Sequence, residues 1–110
     1  MSQHPLPDEL IELIARRFQV LADPTRIKLL DLLRDREASV QQLTEMVGST
    51  QQNVSKHLGV LRQETIVRRT KRGNYSYYSI VDEGVFALCE DVCDGLTHQY
   101  ESLRELVGAG

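Results

Sequence analysis

The chain has 110 residues, 41% of them hydrophobic, enough for one compact domain and too few for two with separate cores. Its formal net charge is -3, and its two cysteines, Cys89 and Cys93, lie four apart, which excludes the disulfide framework of a small secreted domain and fits a reducing compartment. No apolar run reaches the roughly 18 residues of a membrane span, and the start MSQHPLPDEL lacks the basic end and apolar stretch of a secretory signal, so a cytoplasmic protein away from the membrane is expected.

Pro5 and Pro7 break the N-terminal arm. Leu10, Ile11, Ile14, Phe18, Leu21 and Ala22 then recur at helical steps and predict a first helix over about 8–21. Asp23 before Pro24 predicts the start of a second, because the carboxylate can cap free amides and proline is tolerated in the first turn. Its apolar positions are Ile27, Leu29, Leu30, Leu32 and Leu33, and the polar run from Arg34 ends it. Ser39 can cap a short third helix carrying Val40, Leu43, Met46 and Val47, closed by a left-handed Gly48. Ser49 or Thr50 caps a fourth, with Val54, Leu58 and Leu61 inward and Gln51, Gln52, Ser55, Lys56 and Arg62 pointing elsewhere.

A short helix, a glycine turn and a second helix with a polar outer face spell helix-turn-helix. Ile66 to Thr70 and Tyr75 to Ile80 read as strands, with Lys71-Arg72-Gly73-Asn74 as a basic turn between them, so a two-stranded wing follows. Asp82 caps a long last helix over about 82–107, whose apolar stripe runs through Val85, Leu88, Cys89, Val92, Cys93, Leu96, Tyr100, Leu103 and Val107. The expected fold is mainly α with a two-stranded β wing, in the order α-α-α-α-β-β-α, as a single domain over 1–110.

The net charge conceals a segregation. From Ser49 to Ile80 six basic side chains, Lys56, Arg62, Arg68, Arg69, Lys71 and Arg72, face one acid, Glu64, so that stretch carries +5 and the remainder -8. One edge is therefore built for a polyanion. A DNA major groove about 12 Å wide admits one helix, and Gln or Asn can pair with adenine as Arg or Lys pairs with guanine. Gln51, Gln52 and Asn53 sit where such a helix would meet the groove floor, with Ser55 and Lys56 one turn on and Arg62 near its end. Lys71 and Arg72 are the wing residues placed for phosphate or the minor groove, since Arg68 and Arg69 alternate between faces. His57, beside Leu58, reads as a satisfied, partly buried imidazole. A solvated, soluble helix start and a hairpin whose charges guard an edge strand are the plainer readings of the same residues.

The segment Leu21-Ala22-Asp23-Pro24-Thr25-Arg26, with Ile27 and Leu29-Leu30 after it, resembles the start of helix 2 in the ArsR/SmtB metalloregulators. Asn53-Val54-Ser55-Lys56-His57-Leu58-Gly59-Val60-Leu61-Arg62 is similar to their recognition helix, and Arg72-Gly73 through Tyr75 to Tyr78 to their wing. The resemblance spans about residues 8–107. It implies a homodimeric repressor joined through the first and last helices, on an inverted-repeat operator of double-stranded DNA, released by a metal ion or a thiol reagent. The apolar stripe of the last helix, wider than one small domain could cover, points independently to association.

The family's sensing positions match poorly. The cysteine pair of the helix before the turn is absent from Val40-Gln41-Gln42-Leu43-Thr44-Glu45-Met46. At the last-helix site the four positions hold Asp82, Gly84, Gly95 and His98, so two ligands are missing. What remains is a ridge, Asp91, Asp94, His98 and Glu101, able to suit nickel or zinc or simply to be a solvated face. Cys89 and Cys93 stay open between core packing and sensing of a soft metal, a metalloid or an oxidant. Two rival readings also stay open: a regulator of the same fold with no ligand, and a winged-helix module for protein association. No phosphate-binding glycine loop or assembled nucleophile, base and orienting group suggests an enzyme.

Overall fold

A computed structural model describes residues 4–109. Its elements are α1 (Asp8–Leu21), α2 (Pro24–Leu32), β1 (Ala38–Ser39), α3 (Val40–Val47), α4 (Gln51–Gln63), β2 (Val67–Arg72), β3 (Tyr75–Ile80) and α5 (Glu83–Ala109). The helix starts follow from local chemistry. Asp23 accepts the backbone N–H groups of Thr25 at 2.9 Å and Arg26 at 3.1 Å ahead of α2. Ser39 and Gln42 form a reciprocal capping box on α3. Thr50 rather than Ser49 caps α4, accepting from the Asn53 amide at 3.1 Å, while Asp82 accepts from Val85 N–H at 3.0 Å ahead of α5. Gly48 ends α3 in the left-handed region at φ 73°.

Two expectations about the sheet need correction. The sheet has three strands in the order β1-β3-β2, all antiparallel, because Ala38 and Ser39 pair with Tyr78 and Tyr77. Two residues are too few to carry an alternation signal, so β1 is defined only by the partner strand it meets. The hairpin is also longer than expected: β2 starts at Val67 rather than Ile66, and Lys71 and Arg72 are its last paired residues, opposite Ser76 and Tyr75. Only Gly73 and Asn74 form the turn, with Gly73 at φ 62°, the conformation a two-residue hairpin turn asks of a leading glycine.

The core gathers the inner faces of α2, α3, α4 and the sheet. Leu29, Leu33, Leu43, Val54, Leu58, Leu61 and Ile66 are the largest fully buried side chains. Met46, one of the apolar positions of α3, is exposed, with Arg36 Nη2 donating to its sulfur at 3.3 Å. Outside this core the chain is open. Its radius of gyration is 16.7 Å, against about 13 Å for a compact domain of this length. On α1 only Leu21 is buried, leaving Leu10, Ile11, Leu13, Ile14 and Phe18 exposed, and on α5 the stripe Val92, Leu96, Tyr100, Leu103 and Val107 is exposed throughout. Among the described residues, no helix is long and apolar enough to cross a membrane.

The end of α4 has no glycine and still closes in a Schellman motif: Ile66 N–H reaches Leu61 O at 3.0 Å and Thr65 N–H reaches Arg62 O at 2.9 Å. The residue that must turn left-handed is Thr65, at φ 58°, a costly place for a β-branched side chain. Thr65→Gly is therefore expected to stabilise the fold by up to about 1 kcal/mol, read as a rise in the urea midpoint at unchanged slope. A fall in the midpoint would show that the Thr65 side chain contributes more than its backbone costs.

Candidate nucleic-acid interface

The rotation of α4 about its axis is fixed by three residues with no exposed surface, Val54, Leu58 and Leu61. At 100° per residue, the row opposite them is Gln52, Lys56, Gly59 and Gln63, all exposed. Ser55 and Arg62 lie on one side between this row and the buried stripe, and Gln51, in the first turn, lies nearer the stripe; all three are exposed. Asn53 is half-buried, and its side-chain amide donates to Ser49 Oγ at 3.0 Å. The groove-reading candidates are thus divided: Gln52 and Lys56 are on the outward row, while Asn53 is engaged at the helix start. Gly59 and Gln63 belong to the same outward row and were missed, since a glycine and a helix-end glutamine carry no signal until the inner stripe is known. Nothing lies within 4 Å of where a Gly59 Cβ would stand, so packing within the chain gives no reason for a glycine there.

A partly buried polar link fixes the position of α4 along its axis. Arg26 Nη1 donates to His57 Nδ1 at 3.1 Å, and Arg26 Nε donates to the Val20 carbonyl at 2.6 Å. Accepting at Nδ1 requires the neutral ring with its proton on Nε2. His57, expected to be satisfied and partly buried, has only 14% of its side chain exposed and lies 3.9 Å from Asp23 Oδ1. The backbone hydrogen bond from Arg26 holds the Asp23 carboxyl below the ordinary aspartate value. One arginine therefore ties the end of α1 and the capped start of α2 to the middle of α4.

The wing divides its charges between two faces. Alternation puts Arg68, Thr70 and Arg72 on one side of β2 and Arg69 and Lys71 on the other, so Lys71 and Arg72, expected together in the turn, point opposite ways. Arg72 is further constrained: its Nη2 donates to Glu37 Oε1, and its guanidinium carbon lies 4.2 Å from the centre of the Tyr77 ring. Among the described residues, Lys56, Arg62, Arg68, Arg69 and Lys71 form no ion pair.

Away from this edge, a cleft of about 470 Å³ opens between α2 and the first turns of α5, with Ile27, Leu30, Ile80, Val85 and Phe86 among its walls. Cys89 and Cys93 both line it as free thiols. Burial, with the neighbouring Cys93 and Glu90, pushes the Cys89 thiol up; Cys93 is exposed and near Thr97 Oγ1, at 3.6 Å. Asp91, Asp94, His98 and Glu101 are all exposed, and among the described residues no three His, Cys, Asp or Glu side chains group to hold a metal. Asp82, the one acid retained at the family's last-helix positions, is occupied structurally by its capping role and by an ion pair with Arg17.

Residues 23–69 match the sequence profile of the family described as bacterial regulatory protein, arsR family. The HTH-type transcriptional regulator KmtR of Mycobacterium tuberculosis is 39% identical over 94 residues, covering 86% of this chain and 72% of the relative. The solution structure of Mb0332 from Mycobacterium bovis, described as a homodimeric winged helix-turn-helix DNA-binding domain, superimposes with a TM-score of 0.77 at 26% identity, over 91% of this chain and 95% of that one. The crystal structure of the AntR antimony-specific transcriptional repressor does so with a TM-score of 0.74 at 33% identity, over 94% and 90%. With its helix-turn-helix and wing in the same order, the chain belongs to the ArsR family of winged helix-turn-helix transcriptional regulators.

Proposed function

We propose that this chain acts in the cytoplasm as a homodimeric repressor that reads an inverted-repeat operator with α4, grips phosphates with the wing, and releases DNA when a soft metal or metalloid binds at Cys89 and Cys93. The observation that carries this reading is the outward row of α4, polar at Gln52, Lys56 and Gln63 and set opposite a stripe with no exposure at all. A helix so held presents one defined face to the major groove. Gln52 and Lys56 supply base-edge or phosphate contacts there, Gln51, Ser55 and Arg62 lie to one side of them, and Lys71 supplies a wing cation with no competing acid.

Dimerisation is supported by the exposed apolar faces of α1 and α5, with side chains such as Phe18 at 53% and Leu103 at 60% exposure, and by the homodimeric description of Mb0332. Exposure on this scale across two helices is more than a monomer ordinarily leaves in water. For the effector, thiolates select soft ions, and both cysteines line one cleft. The antimony specificity in the description of AntR points to the same chemistry. A nickel or zinc site on the Asp91, Asp94, His98, Glu101 ridge would need donors from a second protomer, because one chain does not gather enough of them.

Titrating arsenite, antimonite, nickel and zinc into the protein bound to a selected inverted-repeat duplex tests the whole reading. Arsenite or antimonite is expected to release the duplex, and replacing Cys89 and Cys93 together by serine to abolish that release; an unresponsive complex would leave a ligand-independent regulator. On the same duplex, Gln52→Ala is expected to weaken specific binding more than binding to unrelated DNA. Lys71→Ala is expected to weaken both and to lower the salt slope by about one; uniform losses from both changes would overturn the assignment of base reading to α4.

Gly59→Ala separates stability from docking. Removing a mid-helix glycine is expected to stabilise the fold by about 1 kcal/mol, while a methyl on the outward row is expected to weaken duplex binding. A variant that melts higher and binds equally well would place Gly59 away from DNA.

A further inference from the structure

Arg72 is the only one of the six basic side chains between Ser49 and Ile80 that is ion-paired among the described residues, and its partner comes from outside the helix-turn-helix and hairpin. Glu37 immediately precedes β1, and because Ser39 of that strand pairs with Tyr77, the third strand brings Glu37 beside the outer face of the wing. Arg72 and Tyr77 share this face, diagonally placed across the β2–β3 pair. The guanidinium thus lies over the Tyr77 ring with its edge on the Glu37 carboxylate. Both partners remain reachable by solvent, at 52% and 41% side-chain exposure, so the pair can open.

A carboxylate and a phosphate ask the same thing of a guanidinium, two acceptor oxygens for its fork of N–H donors. We propose that Glu37 is an intramolecular competitor of DNA phosphate for Arg72 and sets how tightly the wing holds any duplex. In the free protein Glu37 occupies Arg72; on DNA the phosphate must take its place, leaving the Glu37 carboxylate beside a polyanion. That carboxylate then takes up a cation, which offsets the counterion that the Arg72 contact releases. Arg72 therefore adds less affinity and less salt dependence than an unpaired cation such as Lys71. Stacking on Tyr77 lets the exchange occur without the arginine leaving the wing.

The proposal rests on the wing contact put forward above, and a double-mutant cycle separates the two. Binding of wild type, Glu37→Gln, Arg72→Ala and the double variant to a labelled duplex of unrelated sequence, and to a selected inverted repeat, is followed by fluorescence anisotropy over a range of potassium chloride. Glu37→Gln is expected to tighten both duplexes about two- to five-fold, the scale of an exposed ion pair, and to steepen the salt slope by up to about 0.9. In the Arg72→Ala background the same change is expected to do little.

An equal gain in that background would reduce Glu37 to a long-range charge and overturn the proposal. Weaker binding by Glu37→Gln would overturn it in the other sense, making Glu37 a residue that positions Arg72 for DNA. If Arg72→Ala itself has no effect while Lys71→Ala does, Arg72 makes no phosphate contact and the competition is excluded, with the remaining wing contact intact.

Discussion

The rest of the molecule depends on how α4 is clamped. Val54, Leu58 and Leu61 are completely buried, and deleting such a side chain to alanine typically costs about 2 to 5 kcal/mol, so the helix cannot roll to present another face. The stripe fixes rotation but leaves sliding along the axis to be resisted by something directional. That is what the Arg26 to His57 hydrogen bond adds, and its location matters: Arg26 also reaches the Val20 carbonyl, and its own amide is held by Asp23. Apolar packing and a directional polar contact thus divide the placement of one helix between them. Breaking the polar contact alone would blur the outward row without exposing the core.

The same economy explains why an acidic protein can face DNA. Nearly all of the positive charge on the helix-turn-helix and hairpin projects from surfaces the core does not use, and the one acid of that segment, Glu64, is turned to Arg16 of α1 at 2.9 Å. The negative charge accumulates elsewhere, including the exposed ridge of α5. Fields of opposite sign on different parts of the surface orient the molecule as it approaches a duplex, and the pairing of Glu37 with Arg72 within the basic edge stands out for that reason.

Sequence made the capping chemistry legible because a cap is a local event. Asp23, Ser39, Gly48 and Asp82 all do what their types and positions suggest, and the stripe of α4 was correctly read from its spacing. The features that escaped are those decided by a distant partner. A two-residue β1 exists only because Tyr77 and Tyr78 are waiting for it; the hairpin gains two residues because Gly73 and Asn74 alone suffice for the turn; Met46 stays exposed, its sulfur met by the Arg36 guanidinium. Thr65 escaped for a different reason, since the usual left-handed residue at a helix end is glycine and nothing local marks a threonine for that role. At the candidate interface the residue types were readable, and their division among outward row, helix start and two wing faces was not.

The thiol cleft bears on how a signal from α5 would reach DNA. Beyond its first turns α5 is exposed, and among the described residues only Val85, Leu88 and Cys89 of this helix pack on the core cluster. Cys89 is thus one of the residues through which the long helix touches the body of the protein, and it lines the cleft shared with α2. That helix in turn carries Arg26, which donates to His57. Under the proposed thiol reading, a metalloid bridging Cys89 and Cys93 would enlarge the α5 wall of this cleft and press on Ile27 and Leu30, and the displacement would be transmitted through a helix already bonded to α4. A metal on the outer ridge of α5 has no such route within one protomer, because its residues are exposed and form no ion pair among the described residues, and would have to act by moving the dimer halves instead.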